Sequence, residues 1–130
     1  MLDTAHRALE RYVEVTVDPD GAITFRHGEV LCVLQGLELA EGLPVLNLTC
    51  VVAWDLPPER DVAAQVGRRA GEGLFGTLGA VRGTHGWDIT LRYAFPAVGL
   101  AEQAMGTLLM LVVSNASTVR GELTVDIGGA

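Results

Sequence analysis

From Trp87 to Phe95 the large residues fall on every second position, so a strand there places Trp87, Ile89, Leu91, Tyr93 and Phe95 on one face. That face needs a cover. After Phe95-Pro96-Ala97-Val98-Gly99, the run from Leu100 to Ala116 sets Ala101, Ala104, Met105, Leu108, Leu109, Val112, Val113 and Ala116 at helical spacing, with Met110 and Leu111 widening the stripe. The pattern predicts a helix buried on more than one side, with Leu108 at its centre and in the interior.

The rest of the chain reads as the partners of this unit. A first helix is predicted from Asp3 or Thr4, either of which can cap it, with Ala5, Ala8, Leu9, Tyr12 and Val13 as its apolar stripe. Val15 and Val17 lead into the turn Asp18-Pro19-Asp20-Gly21, where Pro fixes φ and Gly supplies a positive one. A strand from Ala22 to Arg26 then turns at His27-Gly28 into a second strand, Glu29 to Leu37. Its middle, Val30-Leu31-Cys32-Val33-Leu34, is apolar on both faces, as in a central strand or in one whose outer face meets another chain. Glu38 to Pro44 is read as a turn. The third strand, Val45 to Asp55, alternates, and its even positions Leu46, Leu48, Cys50, Val52 and Trp54 are expected to face the helices.

Pro57-Pro58-Glu59-Arg60-Asp61 signals a second helix, closed by Arg68 and Arg69 and stopped by Gly71 and Gly73. Its stripe is narrow and small: Val62, Ala63, Val66 and Ala70. A short strand from Leu74 to Val81 and a turn at Gly83-Thr84-His85-Gly86 complete the order α-β-β-β-α-β-β-α. The expectation is one α+β domain over residues 1–130, an antiparallel five-stranded sheet with helices packed on it; a chain of 130 residues buries enough surface to fold without disulfides or metals.

Composition shapes the core. Apolar residues make up 49% and aromatic ones 5%, so Leu, Val and Ala must fill the interior. All nine basic residues are Arg, and the net charge of −7 lies wholly in residues 1–65, which hold eleven acids and four Arg against five of each beyond. Such a surface repels phosphate backbones and anionic membranes and steers in a basic partner. The first residues carry no basic start followed by an apolar run, and the longest apolar stretch is well short of a membrane span, so the reading is cytoplasmic. Cys32 and Cys50 then read as reduced, buried and structural.

Candidate chemistry is sparse. Gly71-Glu72-Gly73-Leu74-Phe75-Gly76 has the letters of a dinucleotide fingerprint but leaves a helix and opens a strand, the reverse of what a phosphate at a helix N-terminus requires. His6, His27 and His85 show no metal spacing, the serines have no nucleophile elbow, and no carboxylate pair stands out. No enzyme activity, cofactor or metal is expected.

The element order, Pro19-Asp20-Gly21 before a hairpin, Trp54-Asp55-Leu56-Pro57-Pro58-Glu59 leading into the middle helix, and Leu91-Arg92-Tyr93-Ala94-Phe95-Pro96-Ala97-Val98-Gly99-Leu100 before the long helix together resemble the YbjN family. That family is described as bacterial sensory-transduction regulators, similar in fold to type III secretion chaperones. The resemblance implies a small acidic homodimer, serving a regulatory or stress pathway, that binds a client polypeptide and catalyses nothing. Its middle helix would form the dimer through Val62, Ala63, Val66 and Ala70. Extended client segments would dock on apolar surface, here assigned to Val30, Cys32, Leu34, Glu38 and Glu41, and the charge suggests a basic client, a nucleic-acid-binding protein being one such, with nucleic acid itself unbound. The alternative is a small-molecule-sensing regulatory domain with an internal pocket.

Overall fold

The structure, a computed structural model, describes residues 1–72 and 75–127. Its elements are α1 (Leu2–Glu10), β1 (Val15–Val17), β2 (Ile23–His27), β3 (Val30–Ala40), β4 (Leu43–Leu56), α2 (Val62–Arg69), β5 (Thr77–Arg82), β6 (Trp87–Phe95) and α3 (Glu102–Ile127), with a single 3-10 turn at Pro58–Arg60 before α2. The sheet is wholly antiparallel in the order β1-β2-β3-β4-β6-β5.

The expected α+β architecture holds, with six strands in place of five. The added strand is Val15–Val17, which pairs Val15 with Phe25 and Val17 with Ile23 at the sheet edge. Three residues are too few to show a period, so only the tertiary pairing reveals it. The expected start of the fourth strand at Leu74 lies outside the described residues, and the corresponding β5 begins at Thr77. Glu38 to Pro44 is not a turn: β3 runs on to Ala40 and β4 starts at Leu43, with Gly42 at φ +79° making the reversal. The long helix also continues past Ala116, because its last turns need only one buried side, which Leu123 supplies.

Period 2 decides which side of each strand meets the helices. Ile23 and Phe25 of β2, Val30, Cys32 and Leu34 of β3, Leu46, Leu48 and Cys50 of β4, and Ile89, Leu91 and Phe95 of β6 are buried together with Ala5, Ala8 and Leu9 of α1, Val62 and Val66 of α2, and Met105, Leu109, Val112, Val113 and Ala116 of α3. The three helices therefore share one face. α3 lies across β2, β3 and β4 with α1 beside it, and α2 packs on β5 and β6. Contact between α1 and α3 is close because position 106 is glycine; a methyl there would sit 3.2 Å from the Tyr12 ring. Outside, Arg7 of α1 and Arg11 just after it both reach the carboxylate of Glu102, at 2.9 Å for the Arg7 Nε.

β4 breaks its alternation. Val51 pairs with Thr90 but Ala53 with Ile89, so an extra residue, Val52, bulges into the core, and a second irregularity follows with Asp55 at φ +55° before Leu56 pairs with Trp87. Trp54, expected under the helices, is consequently displaced to partial exposure, its ring beneath the Arg120 guanidinium at 5.4 Å. Gly86 sits against this bend, and a side chain there would collide with the backbone of Asp55 and Leu56.

The position Leu108 is corrected as well: Leu109 is the fully buried leucine of that turn, while Leu108 is half-buried at the margin. Leu109→Ala should lower stability by roughly 2–5 kcal/mol in urea unfolding, as a cavity in a closed core does, and Leu108→Ala by clearly less. Equal costs would contradict this packing.

Candidate functional site

Among the described residues, the opposite face of the sheet carries no helix. Register puts Arg26, Leu31, Val33, Gln35, Val51, Thr49, Thr90 and Arg92 on it, and Leu31, Val33 and Val51 are only half-buried there. The doubly apolar strand of the sequence thus has two distinct sides. Val30, Cys32 and Leu34 lie under the helices, fully buried, and only Leu31 and Val33 look outward.

Beyond this face the β3–β4 hairpin projects as an arm. β2 stops opposite Leu34 and β6 stops opposite Leu46, so past the Gly36–Leu46 pair residues 37–45 pair, among the described residues, only with each other. Leu37, Leu39 and Leu43 are exposed there, Leu39 to 65%. Between them stand Glu38 and Glu41, both exposed, and Glu38 accepts a hydrogen bond from the Gly42 amide at 3.2 Å that closes the tip. The arm has apolar side chains, two acids, no base, and unpaired backbone edges, a combination suited to an extended segment of another chain. Sequence periodicity could not find it, because exposed leucines in a regular strand look like core.

The five residues assigned to client binding are therefore not brought together: Glu38 and Glu41 stand on the arm, while Val30, Cys32 and Leu34 belong to the interior. The middle-helix stripe divides in the same way. Val62 and Val66 are buried in the chain's own core, whereas Ala63 and Ala70 are exposed.

The remaining polar groups have structural work. His27 Nδ1 lies 2.7 Å from the Ser117 hydroxyl, joining the β2–β3 turn to α3, and His6 Nδ1 lies 3.2 Å from Glu10. Among the described residues no acid is seen to orient the His27–Ser117 pair in the manner of a nucleophile and base. Among the described residues no three His, Cys, Asp or Glu side chains cluster as a metal site would require, and no helix is long and apolar enough to cross a membrane. The glycine fingerprint spans Gly73 and Leu74, which lie outside the described residues. A cleft of about 190 Å³ opens between α2, α3 and β5, where Arg69 Nη1 meets Glu122 at 2.6 Å; it is smaller than the usual small-molecule pocket.

Cys32 and Cys50 face each other across β3 and β4, fully buried, with their sulfurs 3.7 Å apart. The Cys32 thiol against it, and then burial, push the Cys50 thiol far above its ordinary value of 9.0. Thiolate is the reactive form, so the pair should be inert to disulfide reagents in the native protein and react fully in denaturant. The raised value also sets a sign. Stability from this group is whole below the unfolded value of 9.0 and is lost above it, where only the unfolded chain ionises. The urea midpoint should fall as pH is raised past that value, with a shallower slope in Cys50→Ala; equal slopes would show that Cys50 is not the group responsible.

No protein-family model matches the sequence, and no curated protein matches it. Solved structures do. The fold is similar to that of YbjN of E. coli, a candidate transcription regulator, at 11% identity with a TM-score of 0.68, covering 96% of this chain and 92% of that one. It is also similar to the Yersinia pestis type III secretion chaperone SycH, solved in complex with a stable fragment of YscM2, at 10% identity and a TM-score of 0.57, covering 89% and 96%. At these identities the likeness is one of fold, and the chain has the α+β fold of YbjN and of a type III secretion chaperone.

Proposed function

We propose that this chain is a non-enzymatic protein-binding module, chaperone- or adaptor-like, that works as a homodimer and holds a basic client polypeptide. The observation that carries the reading is the β3–β4 arm, where exposed leucines, acids and free strand edges coincide. The fold supports it, since SycH has been solved with a bound protein fragment. The charge supports it too, because the net −7 resides in the half of the chain that includes the arm and favours a cationic partner over nucleic acid.

In this reading a client segment lies along the arm, adding backbone hydrogen bonds at an open edge and setting side chains against Leu37, Leu39 and Leu43. Glu38 and Glu41 speed the encounter without supplying most of the affinity.

The test is recovery of the client from the native host, followed by binding kinetics across a salt series. The association rate should fall as salt rises, because exposed charges are screened beyond about 8 Å at physiological ionic strength, and Glu38→Lys with Glu41→Lys should flatten that dependence. Leu37→Ser with Leu39→Ser should abolish binding while changing stability by no more than about 0.5 kcal/mol, the ordinary effect of surface substitutions. A salt-independent association rate, or tight binding of naked DNA by the protein alone, would overturn the reading.

A further inference from the structure

The outer flank of α3 has a composition that its position does not require. From Gln103 to Val119 the helix carries no charged residue, although Gln103, Ala104, Thr107, Leu111, Ser114 and Thr118 are exposed. The charges that bound this stretch are engaged with their own chain: Glu102 is held by Arg7 and Arg11, and Arg120 donates to the Val52 carbonyl at 3.0 Å. Within it, Ala101, Ala104, Leu108 and Leu111 recur at steps of three, four and three, the spacing of a coiled-coil seam. The Ala101 carbonyl accepts from the Met105 amide at 2.8 Å, which keeps Ala101 in helical phase. These four, with Gln103 and Thr107, line a shallow, mainly apolar depression of about 500 Å³, and Leu111 at its end is 48% exposed.

We propose that this seam is the contact between two copies of the chain, packed antiparallel about a two-fold axis level with residue 106. The proposal rests on the homodimer reading above and moves the contact from the middle helix, whose Val62 and Val66 are in the core, to α3. Self-complementarity is the first reason. An antiparallel pairing about that level sets Ala101 against Leu111 of the partner subunit and Ala104 against Leu108 of the partner subunit, small against large at every step, so each leucine fills the hollow left by an alanine. Charge is the second. Two copies of a chain with net charge −7 repel over most of their surfaces, and this flank is where they can meet with no carboxylate opposing another. The same absence argues against the basic client as occupant, since its cations would find no acid here. The seam is about 15 Å long, ten steps of helical rise, which is shorter than obligate interfaces use and fits a dimer that dissociates on dilution.

The experiment is sedimentation velocity over a concentration series from micromolar to submillimolar. Wild type should shift from monomer to dimer. Leu111→Glu should weaken the dimer by about tenfold or more while leaving circular dichroism and the urea midpoint unchanged. Ala104→Arg, at an exposed position where a side chain can be added without touching the core, should do the same and serves if Leu111→Glu disturbs folding. Ala101→Lys combined with Leu111→Glu should restore dimerisation, because the antiparallel register places the introduced cation of one copy opposite the introduced anion of the other; failure of this restoration would refute the register. A dimer indifferent to Leu111→Glu and Ala104→Arg would overturn the seam alone. A wild-type monomer throughout would overturn the homodimer as well, while leaving client capture by the arm to be judged on its own kinetics.

Discussion

Leu109, Val112, Val113 and Ala116 of α3 are fully buried against a sheet face that offers Leu34, Leu48, Cys50 and Leu91. Each large side chain so covered contributes roughly 1.5–3 kcal/mol of transfer free energy. α1 takes its place from this helix, while α2 packs on β5 and β6. α1 can lie close only because Gly106 leaves room for Tyr12 and Ala8, and α2 is tied to the far end of α3 through Arg69 and Glu122.

A sheet covered on one side has consequences for the other. With three helices on the inner face, Leu31, Val33 and Val51 are left half-open outside, and the longest hairpin extends past its neighbours into solvent. Solvated leucines at Leu37, Leu39 and Leu43 contribute little to folding, and in the proposed reading they serve binding rather than the stability of the monomer. The acids among them do not conflict with that role, because they sit beside the apolar side chains and not beneath them.

How much of this could be read from the residues depended on whether a local period carried the information. The alternation from Trp87 to Phe95 turns Ile89, Leu91 and Phe95 inward as expected, whereas of the α3 stripe Met105, Leu109, Val112, Val113 and Ala116 are buried and Ala101, Ala104 and Leu108 are not. Trp54 was misplaced because a bulge shifts parity by one, and nothing in Val51-Val52-Ala53-Trp54 announces the extra residue; Asp55 tolerates a left-handed backbone, but so does Asp in many turns. The arm was hidden for a different reason. Leu37, Leu39 and Leu43 have the character of buried residues, and their exposure follows from where β2 and β6 end, which is a property of distant segments. The same holds for Val62 and Val66, which look like a surface stripe until β5 and β6 are set beneath them.

The clasp of Glu102 by Arg7 and Arg11 joins the first helix to the start of α3, about a hundred residues away in sequence. The first helix finds its principal neighbour only after about a hundred further residues have been made, and until then the inner face of β2, β3 and β4 lacks the helix that lies across it. Pairings of such long sequence separation slow folding, because loop closure has to precede the contacts that reward it. A ribosome presenting this chain therefore holds these strands without their main cover until α3 emerges, and α3 protects them from aggregation.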